Sequence, residues 1–255
     1  MSSKNKLWFS FAENGAYKQQ DQFFFDVRDT EWCKRIEDGW KDVKAELENL
    51  ITDKEAAIVP YFNKTLASNP NDWNVFPFYM WGTKYHDNIK TCPKTCALLE
   101  SIPGMVSASF SIINPQTTIK GHYGDTNAMY RCHLGLIIPA PMPQCTMKVG
   151  DEEKSWIPGQ VLAFCDAQYH TAWNKTDQKR YVLIFDVIRP EFLDKTINIC
   201  AKVQGNLFWQ TAFQKFYIFD RFPRFLRQWI MKLSQWPFYY KLKRNKHNSL
   251  ITYQV

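Results

Sequence analysis

Arg180-Tyr-Val-Leu-Ile-Phe-Asp-Val187 is a run of β-branched and aromatic residues that reads as a buried strand. It stops where Arg189-Pro190-Glu191 is expected to end the strand with exposed charge. Working back toward the N-terminus, four more runs share its character: Ser107–Ile113, Arg131–Pro139, Cys145–Val149 and Val161–Phe164. Short turns such as Val149-Gly150-Asp151 and Pro158-Gly159 separate them. Five short strands at this spacing predict a double-sheet barrel or jelly roll rather than an alternating α/β fold. Ahead of them, Trp32, Ile36, Trp40, Val43, Leu47 and Leu50 recur at steps of three and four. They predict one helix from near Asp29 to Asp53, capped by Asp29 or Thr30, with a charged outer face. Pro93 opens a shorter helix that ends at Pro103-Gly104, and the pattern turns helical again after Pro190. The expected fold is mainly β with flanking N- and C-terminal helices. Residues 1–69 form a helical flank, 70–195 the jelly-roll domain, and 196–255 a basic, aromatic helical tail.

A chain of 255 residues with 45% hydrophobic and 16% aromatic residues can bury a sizeable core, which excludes disorder as its main state. No run approaches the roughly 18–20 apolar residues of a membrane span, and the start, Met1-Ser-Ser-Lys-Asn-Lys6, does not read as a signal peptide. The seven cysteines are therefore expected to be thiols in a reducing cytoplasm. Cys92 and Cys96 are four apart, but nothing nearby completes a zinc set. The net charge of +7 is polarised: residues 201–255 hold ten Lys or Arg against one acid, Asp220.

The five histidines are 86, 122, 133, 170 and 247. Three fall in the predicted β-core. Gly121-His122-Tyr123-Gly124-Asp125 reads as a loop before a strand, His133 lies in that strand, and His170 follows Phe164-Cys-Asp-Ala-Gln-Tyr169. Neutral imidazole is a good ligand for iron(II), and a jelly roll can bring distant strand ends together at its mouth. On spacing alone, a satisfied structural histidine of the core is the more frequent role for each. Asp166 is read either as orienting His170 or, preferably, as capping its own turn. His86 and His247 receive no role.

The words around these residues are more specific. Cys92-Pro-Lys-Thr-Cys-Ala-Leu-Leu-Glu100, Tyr130-Arg-Cys-His-Leu-Gly-Leu-Ile-Ile-Pro139, Val161 through Asn174 and Arg180 through Glu191 together resemble the aspartyl/asparaginyl β-hydroxylase family. Bacterial lipid A 2-hydroxylases share that domain. The resemblance covers roughly residues 70–195. It implies a double-stranded β-helix, cupin-like core and an iron(II)- and 2-oxoglutarate-dependent dioxygenase using O2. It also implies iron ligands at His122 and His170, and Arg180 on the distal carboxylate of 2-oxoglutarate. Ser111 and His133 match further cosubstrate contacts, Arg131 a position near substrate or cosubstrate, and Trp73 an aromatic at the pocket wall. A facial triad would carry its carboxylate at position 124, where this chain has glycine. Three readings stay open: a working two-histidine site, Asp125 as third ligand, and a metal-poor, inactive relative. If position 124 faces the metal, Gly124→Asp is expected to tighten metal binding.

The expected substrate is a C–H bond of an Asp or Asn side chain in a peptide or protein, or of a lipid acyl chain. From Leu207 to Lys246, aromatic residues alternate with basic ones. That pattern suits either a helical flap packed on the jelly roll or an anionic membrane surface. Nucleic acid is the weaker match. A cytoplasmic protein, peripheral on the inner face of a membrane, fits this reading. A catalytically silent jelly roll acting as a membrane-associated binding module is the alternative.

Overall fold

A computed structural model describes residues 6–12, 16–215 and 224–244. The tail readings at 216–223 and 245–255 lie outside the described residues. In chain order the elements begin with β1 (Phe24–Phe25), α1 (Glu31–Asp38), α2 (Trp40–Lys54), β2 (Val59–Pro60), β3 (Trp73–Met80) and β4 (Thr83–Lys84). Next come α3 (His86–Thr91), α4 (Pro93–Glu100), β5 (Met105–Ile113), β6 (Thr117–His122), β7 (Met129–Ile137) and β8 (Cys145–Val149). They finish with β9 (Glu152–Lys154), β10 (Val161–Phe164), β11 (His170–Asn174), β12 (Arg180–Ile188), α5 (Thr196–Lys215) and α6 (Arg224–Arg244).

The strands form two antiparallel sheets. The larger has the order β1-β10-β7-β12-β5-β3-β2 with β4 beside β3, and the smaller has the order β6-β11-β8-β9. From β5 onward the chain passes back and forth between the sheets, which is the double-stranded β-helix expected from the sequence. Alternation along β12 sets its two faces. Leu183 and Phe185 point away from the small sheet into a core shared with Ile36, Val43, Leu47 and Leu99 of the helices. Val182 and Ile184 belong to the inter-sheet core with Ile113, Phe164 and Ala172. Each fully buried Leu or Phe contributes roughly 1.5–3 kcal/mol, so this two-faced packing fixes which residues of β12 look inward. Arg180 and Asp186 share the inward face.

Three details depart from the sequence reading, and the expected Thr30 cap is present. The first helix is two helices that meet at Gly39, where a Cβ would lie 2.5 Å from Leu98 Cδ1, so glycine lets α4 pack closely at the junction. Thr30 caps α1 through its side chain, which accepts from Cys33 N. The first 69 residues also supply β1 and β2 to the large sheet. Arg189 is buried and paired with Asp21 at 2.9 Å and Glu191 at 2.7 Å, so it ties the N-terminal segment to the end of β12. All seven cysteines are buried thiols. No helix among the described residues is long and apolar enough to cross a membrane.

Candidate functional site

His122 ends β6 and His170 opens β11, two strands that the sequence alone did not separate from their loops. The strands are antiparallel neighbours whose register sets the two histidines opposite each other. Opposed residues on such a pair hold their Cβ atoms about 5 Å apart on one face, and here the ring centroids are 4.2 Å apart. A register shift between His170 and Ala172 marks a bulge at this end of β11, a usual device for re-aiming a side chain. In each ring Nδ1 lies 2.8 Å from the carbonyl oxygen two residues earlier, that of Lys120 or Gln168. A carbonyl only accepts, so Nδ1 carries the proton and Nε2 keeps its lone pair. Burial lowers the pKa of both, that of His170 well below the ordinary value with its neighbour His122 contributing. The result is two neutral imidazoles on adjacent strands, each with its Nε2 lone pair uncommitted to the backbone.

Beside them lies a carboxylate the sequence reading undervalued. Asp166 is fully buried and does not cap its turn: its Oδ1 accepts from Arg131 Nη1 at 2.6 Å and sits 3.6 Å from His170 Nε2. Its Oδ2 has no hydrogen-bond partner among the described residues. Arg131 reaches across the sheet to Asp186, with Nε and Nη2 on the two carboxylate oxygens at 2.8 and 3.0 Å. Three of the five guanidinium N–H groups are therefore spent on two buried acids. An aspartate at position 124 does not fit beside Asp166, because even a Cβ there would lie 1.6 Å from Oδ2. This crowding opposes the expectation that Gly124→Asp tightens metal binding, which needs position 124 to be open toward the metal. Asp125 has its carboxyl pushed up to about 7, by burial first and then by the Asp166 charge. Among the described residues no group of three His, Cys, Asp or Glu is arranged to hold a metal ion.

A second cluster lines the same inter-sheet space. Arg180, only 2% exposed, lies with its guanidinium carbon 4.5 Å from the centre of the Trp156 ring. Its Nε and Nη1 have no partner among the described residues, and burial pushes its pKa below the ordinary value. Trp156 Nε1 donates to His133 Nδ1 at 3.1 Å. The proton of His133 is then on Nε2, a buried donor also without a partner among the described residues. Ser111 Oγ accepts from Trp73 Nε1 at 3.0 Å, which leaves its own hydroxyl proton to give. Val182 lies opposite Ser111 in the β5–β12 register, so Arg180 is its diagonal neighbour on that face. Arg180, His133 and Ser111 are thus a set of donors in an apolar wall, which suits an anionic acceptor with several oxygens. Trp73 supports that wall, and Arg131 stands nearer the histidine pair, held by its two acids.

Sequence reasoning missed Trp156, Asp186 and Tyr61. Asp186 did carry a signal: an acid inside an apolar strand, on the same alternating face as Arg180. Tyr61 stacks on Trp73 with centroids 3.7 Å apart and has Arg131, Asp125 and Asp166 as its charged neighbours. At the rim Tyr123 and Tyr169 meet edge to face, 5.2 Å apart and partly exposed.

Known proteins resemble the chain as follows. A family model described as Aspartyl/Asparaginyl beta-hydroxylase matches residues 37–190. The ornithine lipid ester-linked acyl 2-hydroxylase of Rhizobium tropici is 35% identical over 172 residues, 65% of this chain and 60% of that protein. The aspartyl/asparaginyl beta-hydroxylase of Homo sapiens is 33% identical over 167 residues, 64% of this chain and 22% of that protein. The chain thus spans less than two thirds of the length of these curated relatives. A 2OG-Fe(II) oxygenase family oxidoreductase from Burkholderia pseudomallei is similar in structure with a TM-score of 0.41 and 11% identity, over 67% of this chain and 96% of that one.

Proposed function

Because the chain belongs to the aspartyl/asparaginyl β-hydroxylase family, we propose that it is an iron(II)- and 2-oxoglutarate-dependent hydroxylase centred on His122 and His170. The observation that carries this reading is the cross-strand histidine pair, with both Nδ1 atoms committed to backbone carbonyls and both Nε2 lone pairs left over. The donors of Arg180 and His133 that have no partner among the described residues support it, since their chemistry fits the distal carboxylate of 2-oxoglutarate. When bound, iron(II) with 2-oxoglutarate and O2 supplies the oxidising power to hydroxylate an unactivated C–H bond, the cosubstrate leaving as succinate and CO2.

The chain's own residues do the rest. His122 and His170 would hold the metal as neutral ligands, which costs no proton at neutral pH. Asp166, anchored by Arg131, presents beside them a carboxylate oxygen with no partner among the described residues and can accept from a water or steady His170. Arg180, Ser111 and His133 would fix the cosubstrate's carboxylate, while Trp73, Trp156 and Phe164 keep the wall dry.

The substrate reading has two arms, an Asp or Asn side chain of a protein and a lipid acyl chain, each matching one relative. The cationic helices α5 and α6 support the lipid arm and a place at the inner face of a membrane. The buried thiols suit a cytoplasmic setting.

Purified protein with iron(II) is expected to convert 2-oxoglutarate to succinate, even uncoupled from substrate, and His170→Ala to abolish the conversion. Wild-type turnover no higher than that of His170→Ala would favour the silent binding module instead. Mass spectrometry of lipids and peptides from cells with and without the protein, searched for a one-oxygen gain, separates the substrate arms.

A further inference from the structure

We infer that the outward face of α6 is a docking surface for an anionic lipid bilayer. Trp229, Leu233, Trp236 and Tyr240 are 64, 58, 52 and 56% exposed. At 100° per residue the four fall within an arc of about 60°, so they form one apolar stripe along the helix. The stripe is not a by-product of packing, because α6 already has a buried side: Leu242 is 5% exposed, and Phe238 and Tyr239 pack with it against Phe9, Trp81 and Val203.

Charge selects the partner. Helix α5 carries two Lys or Arg and α6 six, with no acid in either. Exposed Lys243 and Arg244 fall on either side of the stripe. Indoles and a phenol beside a leucine, flanked by cations on a helix too polar to span a bilayer, match the headgroup level of an anionic leaflet. A nucleic acid would use the cations and rings but leave Leu233 without a partner, and a second copy of this chain would meet the same positive charge.

A groove of about 380 Å³ continues the face. Trp236, Tyr239, Phe9 and Ile199 give it apolar walls, and Lys195 and Lys202 supply two ammonium groups suited to a lipid phosphate. Its Phe9 wall also bears on the candidate active site. Ser10 N donates to Asp125 O at 3.0 Å and Thr126 Oγ1 to Trp8 O at 2.7 Å, so residues 8–10 clamp the loop that follows His122. The groove is thus joined through residues 8–10 to the loop after His122, and lipid held there extends the lipid arm of the proposed function.

Vesicle binding by the full chain, without metal or 2-oxoglutarate, tests this independently of catalysis. Vesicles of phosphatidylcholine containing about one third phosphatidylglycerol are expected to sediment the protein about tenfold more strongly than phosphatidylcholine alone, and less so at high salt. Trp229→Ser/Trp236→Ser and Lys243→Glu/Arg244→Glu should each lose most of that binding while keeping the wild-type thermal midpoint. The inference is overturned by equal partition to both vesicles, by binding that survives both double variants, or by a dimer that Trp229→Ser/Trp236→Ser dissolves. A preference for single-stranded RNA over the anionic vesicles overturns it too.

Discussion

Gly124 and Asp166 share one space: the Gly124 amide donates to the Asp166 carbonyl at 2.8 Å, and a Cβ on Gly124 would lie 2.1 Å from Asp166 Cγ. Position 124 is where a facial triad keeps its acid. In this chain the carboxylate at that spot comes from the segment between β10 and β11.

Gly124→Asp is therefore expected to destabilise the protein by about 3 kcal/mol, through overpacking and two crowded like charges. That is a fall of roughly 6–12 °C in thermal midpoint, with weaker metal binding. Adding Asp166→Gly should restore most of the midpoint and give the new aspartate room. A Gly124→Asp single variant as stable as wild type would show the position to be open.

Arg180 separates stability from cosubstrate binding. Its buried guanidinium has no carboxylate partner among the described residues, so Arg180→Met should leave the ligand-free midpoint within a few degrees of wild type, the lost stacking on Trp156 costing about 1 kcal/mol. The same variant should weaken 2-oxoglutarate binding by about a hundredfold, as expected for a lost charge-assisted fork. A large fall in midpoint with unchanged 2-oxoglutarate affinity would make Arg180 structural.

Trp73→Phe removes the donor on Ser111 Oγ while keeping the stack with Tyr61. The expected cost is about 1 kcal/mol, read as a several-fold rise in KM for 2-oxoglutarate with kcat unchanged. An unaltered KM would detach Trp73 and Ser111 from the cosubstrate wall.

His133 and His170 are neutral in the fold, their pKa values well below the ordinary one because of burial. Unfolded, each takes a proton near about pH 6.5. Below that pH the unfolded chain binds protons that the folded chain refuses, so stability falls as pH falls, by up to about 1.4 kcal/mol per unit per histidine. Asp125, pushed up to about 7, acts in the opposite sense between about pH 4 and 7, because the folded chain holds that proton. With the histidines in the majority, chelator-treated protein should lose about 1 kcal/mol on going from about pH 6.5 to 5.5. His133→Asn should flatten that slope. A midpoint that rises as pH falls would mean that the carboxyls dominate.

The sheet core was legible because β5, β7, β10 and β12 are rich in β-branched and aromatic residues, with one face against helices and the other turned to the small sheet. The strands that carry the histidines were not. Thr117–His122 contains Lys120 and Gly121 at a half-open edge, and His170–Asn174 is short and polar, so neither shows a clean alternation. His122, His170, Arg180, Ser111, His133, Arg131 and Trp73 could be named in advance only through family-like words, since spacing does not reveal a cross-strand pair. Asp166 was misread as a turn cap because its partners, Arg131 and His170, depend on how β7 and β11 approach one another. Trp156, beyond β9, carried no local signal at all.

The most direct test of the two-histidine centre is anaerobic calorimetry of 2-oxoglutarate binding with iron(II) and with a chelator, for wild type and His170→Ala. Iron(II) is expected to tighten binding by about tenfold or more in the wild type, and to leave His170→Ala unchanged. Equal affinity with and without metal in the wild type would contradict an iron site at His122 and His170.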